Sequence, residues 1–324
     1  MRPNLTALLA FAILGSLGGC WDDEPAAYPL GPELAKITDE PARNKAVAFL
    51  ERTFGTPEEP HVPRGCGIEL ARVLQGKTLY RGLCLECHGE FGDGAGPGST
   101  NMDPLPRDFR RGIFKFTSTA GNSKPTRADL VGTLRRGMPL AKMPSFNALE
   151  EEKLDWLVEY VVFLAARGET ERKLAAMADN DGDIDEAGAA SLVASTVASW
   201  NDAQGACVTP AAPMPELSPA TIAKGKELFH AEAVKCAGCH GNDGKGNGPS
   251  ATDLKDDWGH AISPRDLTLG VYRHGSRPLD IYLTICCGVK GTPMPSFNGN
   301  LSSEDIWALA MYVRSLGAPK SPVW

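Results

Sequence analysis

Two five-residue runs carry the residues most able to do chemistry: Cys84-Leu85-Glu86-Cys87-His88 and Cys236-Ala237-Gly238-Cys239-His240. Two thiols about one helical turn apart can each add across a vinyl group of a porphyrin, and the adjacent histidine is left under the iron as proximal ligand. The spacing predicts two covalently bound haem c groups, attached at Cys84 and Cys87 and at Cys236 and Cys239, with His88 and His240 on the irons. Zinc and dithiol redox chemistry are the competitors. A zinc ribbon needs a second Cys-X-X-Cys for each site, and a thioredoxin-like centre needs alternating strands and helices. Neither pattern is present.

The residues around the motifs repeat as well. Glycines follow the two histidines at the same four offsets, in His88-Gly89-Glu90-Phe91-Gly92-Asp93-Gly94-Ala95-Gly96-Pro97 and His240-Gly241-Asn242-Asp243-Gly244-Lys245-Gly246-Asn247-Gly248-Pro249, and a proline closes each run. Gly76-Lys77 matches Gly225-Lys226, Pro106-Arg107-Asp108-Phe109 matches Pro264-Arg265-Asp266-Leu267, and Met143-Pro144-Ser145-Phe146-Asn147 matches Met294-Pro295-Ser296-Phe297-Asn298. A repeat at this period predicts two homologous modules of about 100 residues, a size that suits one small core each. We place them at 63–168 and 218–320, after a leader (1–20) and an N-terminal extension (21–62), with a linker at 169–217 that is first helical and acidic, then proline-rich.

The elements that must position these residues read as all-α. Leu154, Leu157, Val161 and Leu164 recur at helical spacing, as do Ile306, Leu309, Val313 and Leu316. Ser218-Pro219 predicts an N-cap and a helix running to about His230, and Ser302 with Asp305 predicts another start. Between the helices lie long glycine- and proline-rich loops, which a haem at the centre of each module would give something to pack around.

The fold so predicted resembles the class I cytochrome c domain. The Pro-Arg-Asp-Phe/Leu run, the Met-Pro-Ser-Phe run and the closing Tyr-Val helix are similar to those of diheme cytochromes c, over roughly residues 65–168 and 217–318. The resemblance implies two tandem domains of that family, a redox protein as donor and another as acceptor, and the company of a respiratory reductase or dehydrogenase. It also implies that a proline carbonyl after the motif orients the proximal histidine, a position that Pro97 and Pro249 fit.

The sixth ligand separates a carrier from an enzyme, because methionine opposite histidine closes the iron to substrate. Module 1 offers Met138 and Met143; aligning the two Met-Pro-Ser-Phe runs puts Met143 opposite Met294 and Met138 opposite Val289. Met143 lies 55 residues after His88 and Met294 lies 54 after His240, so His88/Met143 and His240/Met294 are the expected ligand pairs. Arg107 and Arg265 are candidates for haem propionates. The leading expectation is a single-electron carrier with no small-molecule substrate. A diheme peroxidase or thiosulfate-oxidising cytochrome, with one open or unusually ligated haem, is the alternative.

Met1-Arg2, an apolar run from Leu5 to Leu17, and Leu17-Gly18-Gly19-Cys20 read as a signal peptide ending in a lipobox. Cys20 is then a lipidation site, and the mature chain is anchored on the periplasmic side of a bacterial membrane. The formal charge is −7, with no basic stripe suited to nucleic acid. Cys66, Cys207, Cys286 and Cys287 remain as possible disulfide partners, with the adjacent pair too strained to close on itself. Asp179 to Asp185 resembles the middle of a calcium loop, but Gly188 stands where its last acid belongs, so we read an acidic turn between helices.

Overall fold

The computed structural model describes residues 27–317 apart from 66 and 139; Cys20, the rest of the leader and Cys66 lie outside the described residues. Eleven α-helices are described. In the first half they are α1 (Pro32–Ala35), α2 (Glu40–Phe54), α3 (Leu70–Leu83), α4 (Leu85–His88), α5 (Arg127–Arg136), α6 (Glu151–Asp181) and α7 (Glu186–Asn201). The second half contributes α8 (Pro219–His230), α9 (Cys236–His240), α10 (Pro278–Cys287) and α11 (Ser303–Leu316). Among the described residues the only β pairing is in isolated bridges, so the fold is all-α.

The same frame is built twice. In each half a helix leading to the Cys-X-X-Cys-His turn crosses the closing helix: α3 packs on α6, and α8 on α11. The crossing points are Gly76 and Gly225, where a Cβ would fall far inside van der Waals contact of the Trp156 and Ala308 carbonyl oxygens. Tyr80 then meets Tyr160 edge-on at 5.1 Å, and Phe229 meets Tyr312 at 5.3 Å. The serine starts act as predicted: the Ser218 side chain accepts from the Thr221 N–H at 3.1 Å and Ser302 from Asp305 N–H at 3.1 Å, each satisfying a donor that the first turn leaves free.

The cores differ in size. The second cluster is confined to residues between Ala212 and Val313. The first runs from Tyr28 to Trp200, because α6 continues past residue 168 to Asp181 and α1, α2 and α7 pack along its far half. Gly168 does not break α6; its bare Cα is where the backbone of Arg110 lies against the helix. Buried ion pairs reinforce this half: Arg167–Glu171 at 2.8 Å, Lys124–Glu169 at 2.7 Å and Lys173–Glu169 at 3.1 Å. Glu171 also accepts from the Gly31 N–H, and Arg167 lies over the Tyr28 ring at 4.0 Å, which ties the N-terminal segment down. In the acidic turn Asp185 caps α7 through the Gly188 N–H at 2.7 Å, and Asp183 faces Lys45.

The halves meet along residues 107–124 of the first. Lys290 donates its N–H to the Lys115 carbonyl at 3.2 Å and its ammonium to Thr119 Oγ1 at 2.9 Å. Phe116 stacks on the buried His274 ring at 5.4 Å, while His274 Nδ1 pairs with Thr284 Oγ1 at 2.9 Å. Burial, helped by the Arg136 and Arg277 charges and opposed by Asp129 and Asp280, lowers His274 from 6.5 to about 4. Between those values the unfolded chain binds a proton that the folded chain refuses, so stability falls as pH drops through that window, by about 3 kcal/mol. Urea unfolding at pH 7 and pH 5 checks this: His274→Asn is expected to flatten the fall, and an unchanged pH slope would count against a neutral, buried His274.

Candidate haem sites

Each attachment motif is a helical turn ended by a glycine. Gly89 and Gly241 sit at φ 75° and 77°, a region that side chains rarely occupy, and donate their N–H groups to Leu85 and Ala237 at 2.9 Å. The chain thereby leaves the histidine sharply and returns along the motif. Gly96 N–H reaches the Cys87 carbonyl at 3.3 Å and Gly248 N–H the Cys239 carbonyl at 3.1 Å. The motif cysteines are half-buried in both halves.

The histidines are held by the other strand of this loop. His88 Nδ1 faces the Arg107 carbonyl at 3.3 Å and His240 Nδ1 faces the Arg265 carbonyl at 3.0 Å. With Nδ1–H donating, Nε2 keeps its lone pair, which is the form a metal takes. Burial lowers the pKa of both rings and so favours that neutral form. His88 also stacks on Phe109, ring centres 4.6 Å apart.

This corrects the expectation that Pro97 and Pro249 orient the histidines. The glycine loop carries both prolines over the outside of the motif, and the Pro97 carbonyl receives the Thr100 hydroxyl instead. The Pro-Arg-Asp run comes back beneath the ring, fixed by Phe109 N–H to Gly92 O at 2.7 Å and by Leu267 N–H to Gly244 O at 2.7 Å. The signal lay in the repeated Pro-Arg-Asp run, whose carbonyl matters as much as its side chain.

The methionine loops share one hydrogen-bond pattern. Met138 N–H donates to Met143 O at 3.1 Å, and Val289 N–H to Met294 O at 3.2 Å. Phe146 N–H meets Leu134 O at 2.9 Å where Phe297 N–H meets Ile285 O at 3.3 Å, and Ser145 and Ser296 both bond back to the preceding helix. Met143 and Met294 therefore occupy equivalent places, and Met138 takes that of Val289.

Basic groups gather where the halves meet. The Arg107 guanidinium lies 3.8 Å from the Trp258 ring centre, and Arg265 donates to the Val271 carbonyl at 3.1 and 2.9 Å. Burial pushes Arg107 down to about 10 and Lys115 and Lys290 down to about 8. Trp258 Nε1 and Arg273 Nε are buried with no hydrogen-bond partner among the described residues. Of the remaining cysteines, Cys207, Cys286 and Cys287 are free thiols, so no disulfide joins them.

Two family models match the two halves: cytochrome C oxidase, cbb3-type, subunit III, over residues 71–161, and cytochrome c over residues 222–317. A chain of the Kuenenia stuttgartiensis reducing HAO-like protein complex Kustc0457/Kustc0458 is similar over 78% of this chain and 97% of that one, at 32% identity and a TM-score of 0.60. The chain is a diheme c-type cytochrome. Among curated proteins, the cytochrome is 36% identical over 94 residues to the cbb3-type cytochrome c oxidase subunit FixP of Azorhizobium caulinodans. It is 38% identical over 103 residues to subunit CcoP of Helicobacter pylori. Those matches cover 29% and 31% of the cytochrome but only 27% and 29% of the relatives' lengths. Two covalent haem c groups are its cofactors, and haem-based electron transfer is its chemistry.

The donor set fits that cofactor. Each half offers two thiols and an imidazole on one turn, and a methionine on the loop that follows α5 or α10. The half-buried Arg107 and Arg273, with the unpartnered N–H groups of Arg273 Nε and Trp258 Nε1, are donors of the kind that haem propionates accept from. No helix of the described residues is long and apolar enough to cross a membrane.

Proposed function

We propose that this cytochrome is an electron carrier in which His88 and Met143 ligate one haem and His240 and Met294 the other. The observation that carries the reading is the equivalence of the two methionine loops, each closed by the same hydrogen bond, Met138 N–H to Met143 O and Val289 N–H to Met294 O. When bound, each haem supplies a one-electron ferric/ferrous couple. His88 with Met143, and His240 with Met294, would hold the two irons and leave no position for substrate, the Arg107 and Arg265 carbonyls would orient the imidazoles through Nδ1, and burial would keep the rings neutral. Cys84, Cys87, Cys236 and Cys239 would form the thioether links, and Arg107 and Arg265 are the candidate cations for the propionates.

The cytochrome passes electrons between two redox proteins while fixed by a lipid at Cys20 on the periplasmic face of a membrane. Its likeness to a nearly complete chain of the reducing HAO-like complex supports a reducing HAO-like protein as one partner. Its likeness to cbb3-type oxidase subunits supports respiratory traffic. Spectra and co-purification test this. Both ferric haems are expected to be low-spin and slow to bind cyanide, and native membranes are expected to yield the cytochrome with a second haem protein. A high-spin haem that binds cyanide or peroxide rapidly would favour the catalytic alternative.

A further inference from the structure

The two halves handle their matched arginines differently. Arg265 is spent within its own half, on the Val271 carbonyl. Arg107 reaches across to the other half, where its guanidinium sits 3.8 Å from the ring centre of Trp258, 151 residues away in sequence. The backbone of the same Arg107 accepts from His88 Nδ1. One residue thus touches the proximal histidine of the first haem with its carbonyl and the second half with its charge.

We propose that Trp258 is a positioning residue for the haem of the other module: by clamping Arg107 it fixes a positive charge beside His88 and raises the reduction potential of the first haem.

Asp256, Asp108 and Asp257 all act on that cation, and the first two have other partners as well. Asp108 is engaged by Arg110 through two bonds of 3.0 Å, and Asp256 by Lys115 at 3.8 Å. Arg111, 5.3 Å from the same ring centre, adds a second cation to the clamp, and Asp257 offers it a backbone carbonyl. A cation held near iron in a low-dielectric setting disfavours the ferric state, and released to water it acts far more weakly. A guanidinium on a tryptophan face is also well suited to the role, since the stack holds the charge without neutralising it.

The inference rests on His88 being an iron ligand and not on the identity of the partners. It is tested on the full-length holoprotein by spectroelectrochemical titration, the first haem's midpoint being recognised by its displacement in Met143→Ala. Trp258→Ala is expected to make the first haem about three- to tenfold harder to reduce, about 30–60 mV, and to leave the second unmoved. Trp258→Phe keeps a ring face and is expected to restore most of the shift; Arg107→Gln is expected to reproduce the loss, with nothing added in the double variant. An unmoved first midpoint in Trp258→Ala, an equal drop at both haems, or a Phe variant no better than Ala would overturn the clamp. Should the Ala variant lose haem or helix content, Arg107→Gln decides alone, and an unmoved midpoint there refutes the proposal. Failure of the carrier reading is separately visible, as a wild-type high-spin haem.

Discussion

Met143→Ala is expected to remove the sulfur ligand of the first haem. Half of the weak long-wavelength sulfur-to-iron absorption should disappear, and the first ferric haem should turn high-spin and begin to bind cyanide. Its potential should fall, since methionine ligation is what raises the potential of a histidine-ligated c-type haem. Met138→Ala should leave the band intact. Met138 fills the place that Val289 takes in the second half, and its role in the loop is the backbone N–H it gives to Met143 O, which alanine still supplies. Absorption and paramagnetic resonance of the two oxidised variants settle the matter, and loss of the band from Met138→Ala alone would reverse the assignment.

Gly76→Val and Gly225→Val are expected to be the most damaging substitutions away from the haem-binding residues. At both positions the obstacle to a Cβ is a backbone carbonyl of the crossing helix, Trp156 or Ala308, so no rotamer change can relieve it. The helices must separate, which opens the Tyr80–Tyr160 or Phe229–Tyr312 contact behind them. Overpacking of a core costs about 1–3 kcal/mol where side chains can adjust; here the cost should be about 3 kcal/mol or more. Thermal unfolding followed by circular dichroism measures it, and a valine variant with an unchanged midpoint would show that the helices do not cross at these glycines.

What could be read from residues alone follows the reach of the patterns. The attachment motifs, the serine caps at Ser218 and Ser302, and the equivalence of Met143 with Met294 all lie in short runs written twice, and repetition separates Met143 from Met138 without coordinates. The partner of the proximal histidine is not legible because a glycine loop has no readable path: Pro97 is near His88 in sequence, yet the positive φ angles of Gly92 and Gly94 turn the chain so that Arg107 arrives beneath the ring. The length of α6 was hidden for a related reason. Gly168 looks like a stop but serves a close approach by Arg110, which is a fact about a neighbour and not about the helix. The contact of Arg107 with Trp258 joins two residues with no periodicity between them, so only the folded chain shows it.

The unequal cores have a consequence for how each half depends on its cofactor. Phe49, Phe54, Phe163 and Trp200 belong to the first cluster, and the helices that carry them extend well away from the Cys84–His88 turn. The second cluster has no such annexe; its aromatic residues, Phe229, Tyr282, Trp307 and Tyr312, all belong to the helices that frame the Cys236–His240 turn. The first half can therefore present its thiols on a scaffold that stands largely by itself, whereas the second needs the porphyrin as part of its own interior. Loss of haem is therefore expected to loosen the second half more than the first, as amide hydrogen exchange of the haem-free protein would read.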